Sequence, residues 1–198
     1  MEPMNIIALA GKKQSGKDTV FSTARDICAE RSLRVSSMET LQRVGRVAFG
    51  DLVKHEVSEI TGFRVDHIEE HKEDFRTLLQ VWGSDFRRNL CGDLYWLKKM
   101  RGIIEASKGH YDILFVTDVR FPNEADLIKE LGGKMIRVVR RVDVYDTYPN
   151  GIDDHASETA LDDYPNYDYV LDNDKTRDKL KDAVEKMLHT LDLHGESA

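Results

Sequence analysis

The chain has 198 residues and a formal net charge of −7, with 40% hydrophobic and 33% charged residues, a composition typical of a globular domain with a sizeable core. This acidic balance argues against general nucleic-acid binding, because contact with a phosphate backbone needs a surplus of lysine and arginine. The sequence contains no apolar run of the ~20 residues that span a bilayer and no cysteine with metal-ligand neighbours, so we expect a cytoplasmic protein without a zinc site or a membrane partner.

Strand and helix patterns alternate along the chain. Short apolar runs that are typical of buried parallel strands, or weaker strand patterns, occupy residues 5–9, 44–49, 113–117, 135–139 and 169–171. Helical patterns occupy residues 17–30, 52–60, 75–90 and 94–106, the segment from 122 to the glycine pair at 132–133, and residues 176–191. The alternation predicts one α/β domain, a three-layer sandwich with a largely parallel sheet and helices on both faces. Ligands of such sheets bind at the carboxyl ends of the strands.

A phosphate-binding pattern follows the first predicted strand. Residues 11–17 read GKKQSGK, which matches G-x-x-x-x-G-K between a strand and a helix. Its glycines let backbone N–H groups curl around phosphates, and its lysine, here Lys17, reaches the β- and γ-phosphates. We therefore predict an ATP site, to which we assign Gly11, Lys13, Ser15, Gly16, Lys17, Asp18 and Thr19.

Candidate ligands for Mg²⁺ lie at two strand ends. Asp18 stands where this loop usually has Ser or Thr for the metal. Asp18 could bind Mg²⁺ directly or through water, Thr19 could replace it, or Asp18 could only cap the helix. Asp118 follows the strand at 113–117 and is a third candidate ligand, although it competes with Asn123 and Glu124 for the role of a helix cap.

A polar stripe marks the helix predicted over residues 75–90. Four residues would share one face of a single α-helix: Arg76, Gln80, Gly83 and Arg87. The arginines offer paired donors to a phosphate, the glutamine suits a base edge, and the glycine leaves space. The stripe therefore predicts a binding site for an acceptor, and the alternative is a solvated face with arginine paired to Glu73 or Asp85. A separate apolar stripe is expected to be core, and it consists of Phe75, Leu79, Trp82, Phe86 and Leu90.

Basic residues also stand near two further strand ends. Arg120 lies two residues beyond Asp118 and could hold an acceptor phosphate or the γ-phosphate. Arg140 and Arg141 end the strand at 135–139 and enter a polar segment without periodicity. We predict a lid over about 140–167 that excludes water, with these three arginines and Lys17 as catalytic residues. The alternative for Arg140 and Arg141 is a solvated strand end. We assign no role to His155.

These segments together resemble the bacteriophage deoxynucleoside monophosphate kinases, which are P-loop kinases. The matching segments are GKKQSGKDT at 11–19, FGDLVK at 49–54, FRTLLQVWGSDFRR at 75–88, YW at 95–96, TDVRFPNEA at 117–125, GGKMIRVVRR at 132–141 and DHASE at 154–158. The segment LDNDKT at 171–176 is similar to the loop that borders adenine in related kinases, which implies a contact between Asn173 and ATP.

The resemblance implies a P-loop kinase with a five-stranded parallel sheet, an acceptor-binding helical insertion at about 51–108, Mg²⁺ and a homodimer. The implied reaction is ATP + dNMP → ADP + dNDP. The implied substrate-binding residues are Lys54, Arg76, Gln80, Gly83, Arg87, Trp96 and Arg120. Two alternatives stay open at this point: a P-loop kinase for phosphomevalonate or a coenzyme A precursor, and a nucleotide-binding switch without enzymatic activity.

Overall fold

The computed structural model of the protein describes residues 4–34, 42–140, 159–174 and 176–191. The chain forms two compact units. The sheet unit comprises Met1–Arg46 and Ser107–Ala198, and the helical unit comprises Val47–Ala106. The single domain with an insertion at about 51–108 and a lid at about 140–167 stays a prediction. Most of the predicted lid, residues 141–158 with Arg141 and His155, lies outside the described residues.

Five strands form one sheet. They are β1 (Asn5–Ala10), β2 (Val44–Val47), β3 (Ile113–Val119), β4 (Lys134–Val139) and β5 (Tyr169–Asp172). Their order across the sheet is β2-β3-β1-β4-β5, so β1 lies at the centre. Strand β1 pairs in parallel with β3 and β4, and β4 pairs in parallel with β5. The predicted α/β fold with a five-stranded parallel sheet is therefore confirmed.

Helices connect the strands. In chain order they are α1 (Lys17–Arg34), α2 (Phe49–Thr61), α3 (Val65–Glu70), α4 (Lys72–Gln80), a π-helix (Val81–Arg88), α5 (Asn89–Cys91), α6 (Tyr95–Ser107), α7 (Pro122–Glu130) and α8 (Arg177–Thr190). Among the described residues, none of these helices is both long and apolar enough to cross a membrane.

The core of the sheet unit lies on both faces of the sheet. On one face, side chains of β1, β3 and β4 pack with side chains of α1 and α8, and the cluster includes Ile7, Leu9, Phe115, Val138, Ile27, Val184 and Leu188. Alternate residues of a strand point to opposite faces, so Ile6 points away from this cluster. A Cβ atom added to Gly133 would lie 2.6 Å from Ile128 of α7 and 3.1 Å from Ile6. Helix α7 therefore covers the second face, as the sequence predicts.

Strand β3 contains an irregularity at its carboxyl end. Ala8 pairs with Val116, but Ala10 pairs with Val119, so β3 has one more residue than β1 between these two pairs. Such a bulge changes the direction of the side chains around it and is often found next to active sites. Because β3 continues to Val119, Asp118 lies within the end of the strand and not just beyond it.

The helical unit departs most from the sequence prediction at residues 75–90. Helix α4 ends at Gln80, and the chain continues as a π-helix. A π-helix has i→i+5 hydrogen bonds and therefore turns less per residue than an α-helix. The prediction that Arg76 and Arg87 share one face of a single α-helix is consequently wrong. The apolar stripe is not core along its whole length either, because Phe86 and Leu90 are exposed.

Candidate active site

The loop at residues 11–17 joins β1 to α1 and is shaped by close backbone contacts. A Cβ atom on Gly11 would lie 2.4 Å from the carbonyl oxygen of Val138, so this position has no room for a side chain. The Ser15 N–H donates to the Lys12 carbonyl at 3.1 Å and closes a turn. The Ser15 hydroxyl is buried and has no hydrogen-bond partner in the described part of the chain. A buried polar group without a partner is costly, and a bound anion could accept its hydrogen bond.

Lys17 lies across this loop. Its Nζ donates to the carbonyl oxygens of Gly11 at 2.6 Å and Lys12 at 2.9 Å. The ammonium group is therefore held at the loop by the first two residues of the motif, while α1 begins at Lys17 itself. The loop, its lysine and the positive end of an 18-residue helix come together as the sequence predicts. Lys13 lies in the same loop and is half-buried.

The candidate metal ligands differ in exposure. Asp18, in the first turn of α1, is 85% exposed and lies 3.7 Å from an Arg46 nitrogen. Thr19 is exposed, and Asp118 is half-buried at the end of β3. Among the described residues, no three His, Cys, Asp or Glu side chains are grouped so that they could hold a metal ion. Mg²⁺ at this place would need phosphate oxygens as further ligands, which is its usual arrangement in kinases.

Glu124 settles which residue caps helix α7. This glutamate is only 1% exposed, and its Oε2 accepts hydrogen bonds from the N–H groups of Arg120 at 2.9 Å and Phe121 at 3.2 Å. A carboxylate there satisfies backbone donors that the helix leaves unpaired. Of the three candidates for the cap, Glu124 makes these bonds. Asp118 stays a candidate for the metal.

Asn173 lies just after β5 and contacts the phosphate loop. Its backbone N–H donates to the Val139 carbonyl at 2.8 Å, and its side-chain Nδ2 donates to the Ser15 carbonyl, also at 2.8 Å. The resemblance implies a contact between Asn173 and ATP, because a similar loop borders adenine in related kinases, and that contact stays a prediction. In the structure the amide group of Asn173 bonds to the loop at residues 11–17, which is predicted to bind phosphates.

The last residues of the predicted lid are attached to the same loop. Asp162 forms a 3.1 Å ion pair with Lys12, and its carbonyl oxygen accepts a hydrogen bond from Arg137 of β4 at 3.0 Å. Tyr164 donates to Asp126 of α7 at 3.1 Å. These contacts fasten residues 159–167 to the sheet unit. Arg140, where β4 ends, is exposed, and its neighbour Arg141 lies outside the described residues.

In the helical unit, the predicted acceptor residues have unequal surroundings. Arg76 makes two hydrogen bonds to Glu73, from Nε at 2.9 Å and from Nη2 at 2.5 Å, which is the alternative that the sequence left open. Gln80, the last residue of α4, is exposed, and its side-chain amide makes no hydrogen bond to the described residues. Lys54 pairs with Asp51 at 2.9 Å and Glu69 at 2.6 Å. Burial alone would lower the pKa of Lys54, but the hydrogen bonds to these two carboxylates outweigh it and raise the pKa.

Gly83 is a packing position and not an open space. A Cβ atom added there would lie 3.2 Å from a methyl group of Val53 in α2, so this side chain fills the space that the sequence analysis assigned to a ligand. The Gly83 carbonyl accepts a 2.8 Å hydrogen bond from the indole of Trp96. Trp96 itself is only 2% exposed. Both residues therefore hold the π-helix against its neighbours in the helical unit.

Glu56 binds several side chains of the helical unit, a role that was not predicted from the sequence. It is 5% exposed, and its carboxylate accepts four hydrogen bonds. The donors are Trp82 Nε1 at 2.9 Å, Arg87 Nε at 2.7 Å, Tyr95 OH at 2.5 Å and Lys99 Nζ at 2.5 Å. One signal was present in the sequence, because Glu56 shares the face of the predicted helix 52–60 with Val53 and Val57, where an apolar residue is expected.

The surroundings of Glu56 fix Arg87 as well. The guanidinium carbon of Arg87 lies 4.7 Å from the Trp82 ring centre and 4.8 Å from the Tyr95 ring centre, so it contacts both rings. Burial would raise the pKa of the Glu56 carboxyl, but the hydrogen bonds from Lys99, Tyr95, Trp82 and Arg87 outweigh it and lower the pKa from an ordinary 4.5 to about 2. Arg87 is thus held by an ionised carboxylate and is not a freely moving surface cation.

Comparison with known proteins adds the family. A family model described as deoxynucleotide monophosphate kinase matches residues 21–184, which is most of the chain but begins after the phosphate loop. A protein of Acanthamoeba polyphaga mimivirus that is provisionally named a deoxynucleotide monophosphate kinase is 29% identical over 199 residues, covering 87% of this chain and 90% of that protein.

A second relative matches part of the chain, and one solved structure has the same fold. The deoxynucleotide monophosphate kinase of Escherichia phage RB69 is 29% identical over 114 residues, which cover 57% of this chain and 44% of the phage protein. The crystal structure of TT1252 from Thermus thermophilus has a TM-score of 0.54 at 17% identity, covering 96% of this chain and 99% of that one, and shows the same fold. With its phosphate loop, parallel sheet and family match, the chain belongs to the deoxynucleotide monophosphate kinase family.

Proposed function

We propose that the protein transfers the γ-phosphoryl group of ATP to a deoxynucleoside monophosphate and releases ADP and a deoxynucleoside diphosphate. The observation that carries this proposal is the loop at residues 11–17 with Lys17 lying across it, in a chain that belongs to this family. The loop is a site for a polyphosphate, and the family directs the transfer to a monophosphate acceptor.

The residues of the sheet unit fit the donor and its metal. The Ser15 hydroxyl is buried without a partner among the described residues, the Lys17 ammonium reaches the loop, and Asp18 and Thr19 offer the oxygen atoms that Mg²⁺ prefers. When bound, ATP supplies the phosphoryl group, and Mg²⁺ reduces the negative charge on its phosphates. Lys17 and the backbone N–H groups of the loop then orient the chain of phosphates, and Asp118 is a further candidate to hold the metal.

The residues of the helical unit are assigned to the acceptor. A monophosphate has a second pKa of about 6, so it is already largely a dianion at pH 7 and needs no general base. Gln80 is exposed and has a free amide among the described residues, which suits a base edge. Arg76 is a candidate for the acceptor phosphate, and binding there would require exchange of Glu73 for the phosphate.

Three arginines remain candidates for charge neutralisation during the transfer: Arg120, Arg140 and Arg141. A guanidinium group contributes by contacting the oxygen atoms of the transferring group, whose charge must be stabilised in the transition state. Arg87 donates one hydrogen bond to Glu56, and another of its nitrogens lies 3.8 Å from the Cys91 sulfur. We therefore assign it first to supporting the helices that carry the candidate acceptor residues. Lys54, between two carboxylates, is assigned the same supporting role.

The first test measures ADP formation with ATP and a panel of deoxynucleoside and ribonucleoside monophosphates. We expect turnover that depends on a deoxynucleoside monophosphate and falls by roughly 100-fold or more in Lys17→Ala. Lys181→Ala is the matched control, since it removes an exposed lysine that pairs with Glu30 in the same unit. A kinase for another small molecule would leave every monophosphate unchanged, and a switch would bind ATP without acceptor-dependent turnover.

The second test concerns the acceptor. Arg76→Ala should lower kcat/KM for the monophosphate by roughly 10- to 150-fold while the KM for ATP changes little, because one charged phosphate contact is lost. Glu73→Gln should act in the opposite direction, since it releases Arg76 from its bidentate partner. Gln80→Ala should change the ranking among bases. If all three variants match the parent with every monophosphate, α4 does not bind the acceptor.

We further infer a homodimer. In support, six large apolar side chains of the helical unit are exposed: Ile60, Phe63, Val81, Phe86, Leu90 and Leu94. Exposed apolar surface of this kind is typical of protein interfaces. Sedimentation equilibrium of the purified chain tests the inference, and a monomer at all concentrations would contradict it.

A further inference from the structure

A residue far away in the sequence supports the phosphate loop. Asn173, whose Nδ2 bonds the Ser15 carbonyl, lies 158 positions further along the chain. Its own backbone is fixed, because its N–H donates to the Val139 carbonyl at the end of β4. The amide group thus connects the carboxyl ends of two strands to the middle of the loop.

The bond to Ser15 determines the direction of a backbone N–H. The Ser15 carbonyl and the Gly16 N–H belong to the same peptide group, which is planar and trans, so the two point in opposite directions. Holding this carbonyl at Asn173 therefore directs the Gly16 N–H away from Asn173. Backbone N–H groups of such loops are the donors that bind phosphate oxygens, so the orientation of one peptide plane decides whether one donor is available.

Gly16 is adapted to the same contact. Its φ is +89°, a backbone conformation that residues with a Cβ rarely adopt. A Cβ atom there would lie 2.2 Å from Asn173 Nδ2. The amide of Asn173 therefore occupies the space that a side chain at residue 16 would need.

We propose that Asn173 is a positioning residue, which orients the Ser15–Gly16 peptide of the phosphate loop and does not read the adenine base. The proposal rests on the proposed function only in taking the loop as a triphosphate site. It predicts that loss of the amide weakens every ligand that carries the triphosphate, whatever base is attached. A residue that reads adenine would instead affect ATP alone.

The experiment measures binding by calorimetry, with ATP and with inorganic tripolyphosphate, which has no base. We expect Asn173→Ala to raise the Kd of both by a similar factor of roughly 3- to 10-fold, as for loss of one neutral hydrogen bond. Asn173→Asp should raise both by at least about tenfold, because a carboxylate would face the Ser15 carbonyl and add negative charge near the phosphates. Asn5→Asp is the matched control, an exposed asparagine at the opposite end of β1.

Several outcomes would overturn the proposal. Weaker ATP binding with unchanged tripolyphosphate binding would assign Asn173 to the base. A lower melting temperature with unchanged Kd values would give it a structural role alone, and a parent protein that binds neither ligand would remove the phosphate site. A parent that binds both ligands but shows no acceptor-dependent turnover would contradict the proposed kinase activity and leave this test of Asn173 valid. In an active enzyme, the KM for the monophosphate should stay unchanged in Asn173→Ala.

Discussion

Replacing Glu56 by glutamine should strongly destabilise the protein. Glu56→Gln keeps the shape of the side chain but removes the charge and turns one oxygen into an NH₂ group. Each carboxylate oxygen accepts two hydrogen bonds, Oε2 from Trp82 and Arg87 and Oε1 from Tyr95 and Lys99. If the NH₂ group is turned toward Trp82 and Arg87, it faces two groups that only donate, so two hydrogen bonds are lost. If it is turned toward Tyr95 and Lys99, at least the bond from Lys99 is lost, since the Tyr95 hydroxyl can also accept.

The magnitude follows from the lowered pKa. Bringing the pKa of Glu56 from 4.5 to about 2 means that folding favours its ionised form. At about 1.36 kcal/mol for each pKa unit, the ionised carboxylate contributes roughly 3 kcal/mol at neutral pH. Breaking a buried ion pair costs about 3–5 kcal/mol, and we expect the lower end because Lys99 is 43% exposed. The free energy of unfolding should therefore fall by about 3 kcal/mol.

Urea unfolding followed by tryptophan fluorescence measures this change directly. The chain has two tryptophans, Trp82 and Trp96, and both lie in the helical unit with Glu56. Glu59→Gln is the matched control, because Glu59 is exposed on the same helix, and its free energy of unfolding should stay within about 0.5 kcal/mol of the parent. If Glu56→Gln and Glu59→Gln unfold at the same urea concentration as the parent, the reasoning about the buried carboxylate is refuted.

Three further predictions follow from the described contacts. The ionised Glu56 carboxylate stabilises the fold above about pH 4.5, and this contribution is lost as the pH falls toward its lowered pKa of about 2. The urea midpoints of the parent and of Glu56→Gln should therefore converge over that pH range. Gly83→Ala should lower the free energy of unfolding by about 1 kcal/mol, because its new methyl group would contact Val53. Gly102→Ala, whose new methyl group has nothing within 4 Å, should raise it by up to about 1 kcal/mol in the same urea experiment. Thr117→Val should leave the melting temperature equal or higher, because the buried Thr117 hydroxyl has no partner among the described residues, and a clear drop would reveal a partner.

The parts of the site that were predictable from sequence are those that depend on neighbouring residues. The phosphate loop is encoded within seven consecutive residues, because its glycines, its lysine and the start of α1 are adjacent. The strands of the sheet are predictable for a similar reason, since a buried parallel strand such as β1 is apolar along most of its length, here from Ile6 to Ala10. Their order across the sheet, in contrast, was not predicted from the residues alone.

The parts that were missed depend on a change of helical period or on distant contacts. The positions of Gly83 and Arg87 were predicted with a period of 3.6 residues, but the chain leaves the α-helix after Gln80, and no proline or glycine pair marks the change. The hydrogen-bond partners of Glu56 are 26 to 43 positions away in the sequence, and Ser15 is 158 positions away from Asn173. Local sequence patterns do not connect residues that are so far apart.

The order of the strands along the chain also bears on how the protein is synthesised. Strand β1 leaves the ribosome before its neighbours β3 and β4, which follow more than one hundred residues later, since Asn5 pairs with Ile113 and Ile7 with Lys134. The helical unit, Val47–Ala106, is translated in between, and its local helical contacts can form early. During that interval β1 is an apolar segment without partner strands, the kind of segment that aggregates or binds chaperones. Residues 5–10, which later lead into the phosphate loop, are therefore the part of the sheet that waits longest for its partner strands during synthesis.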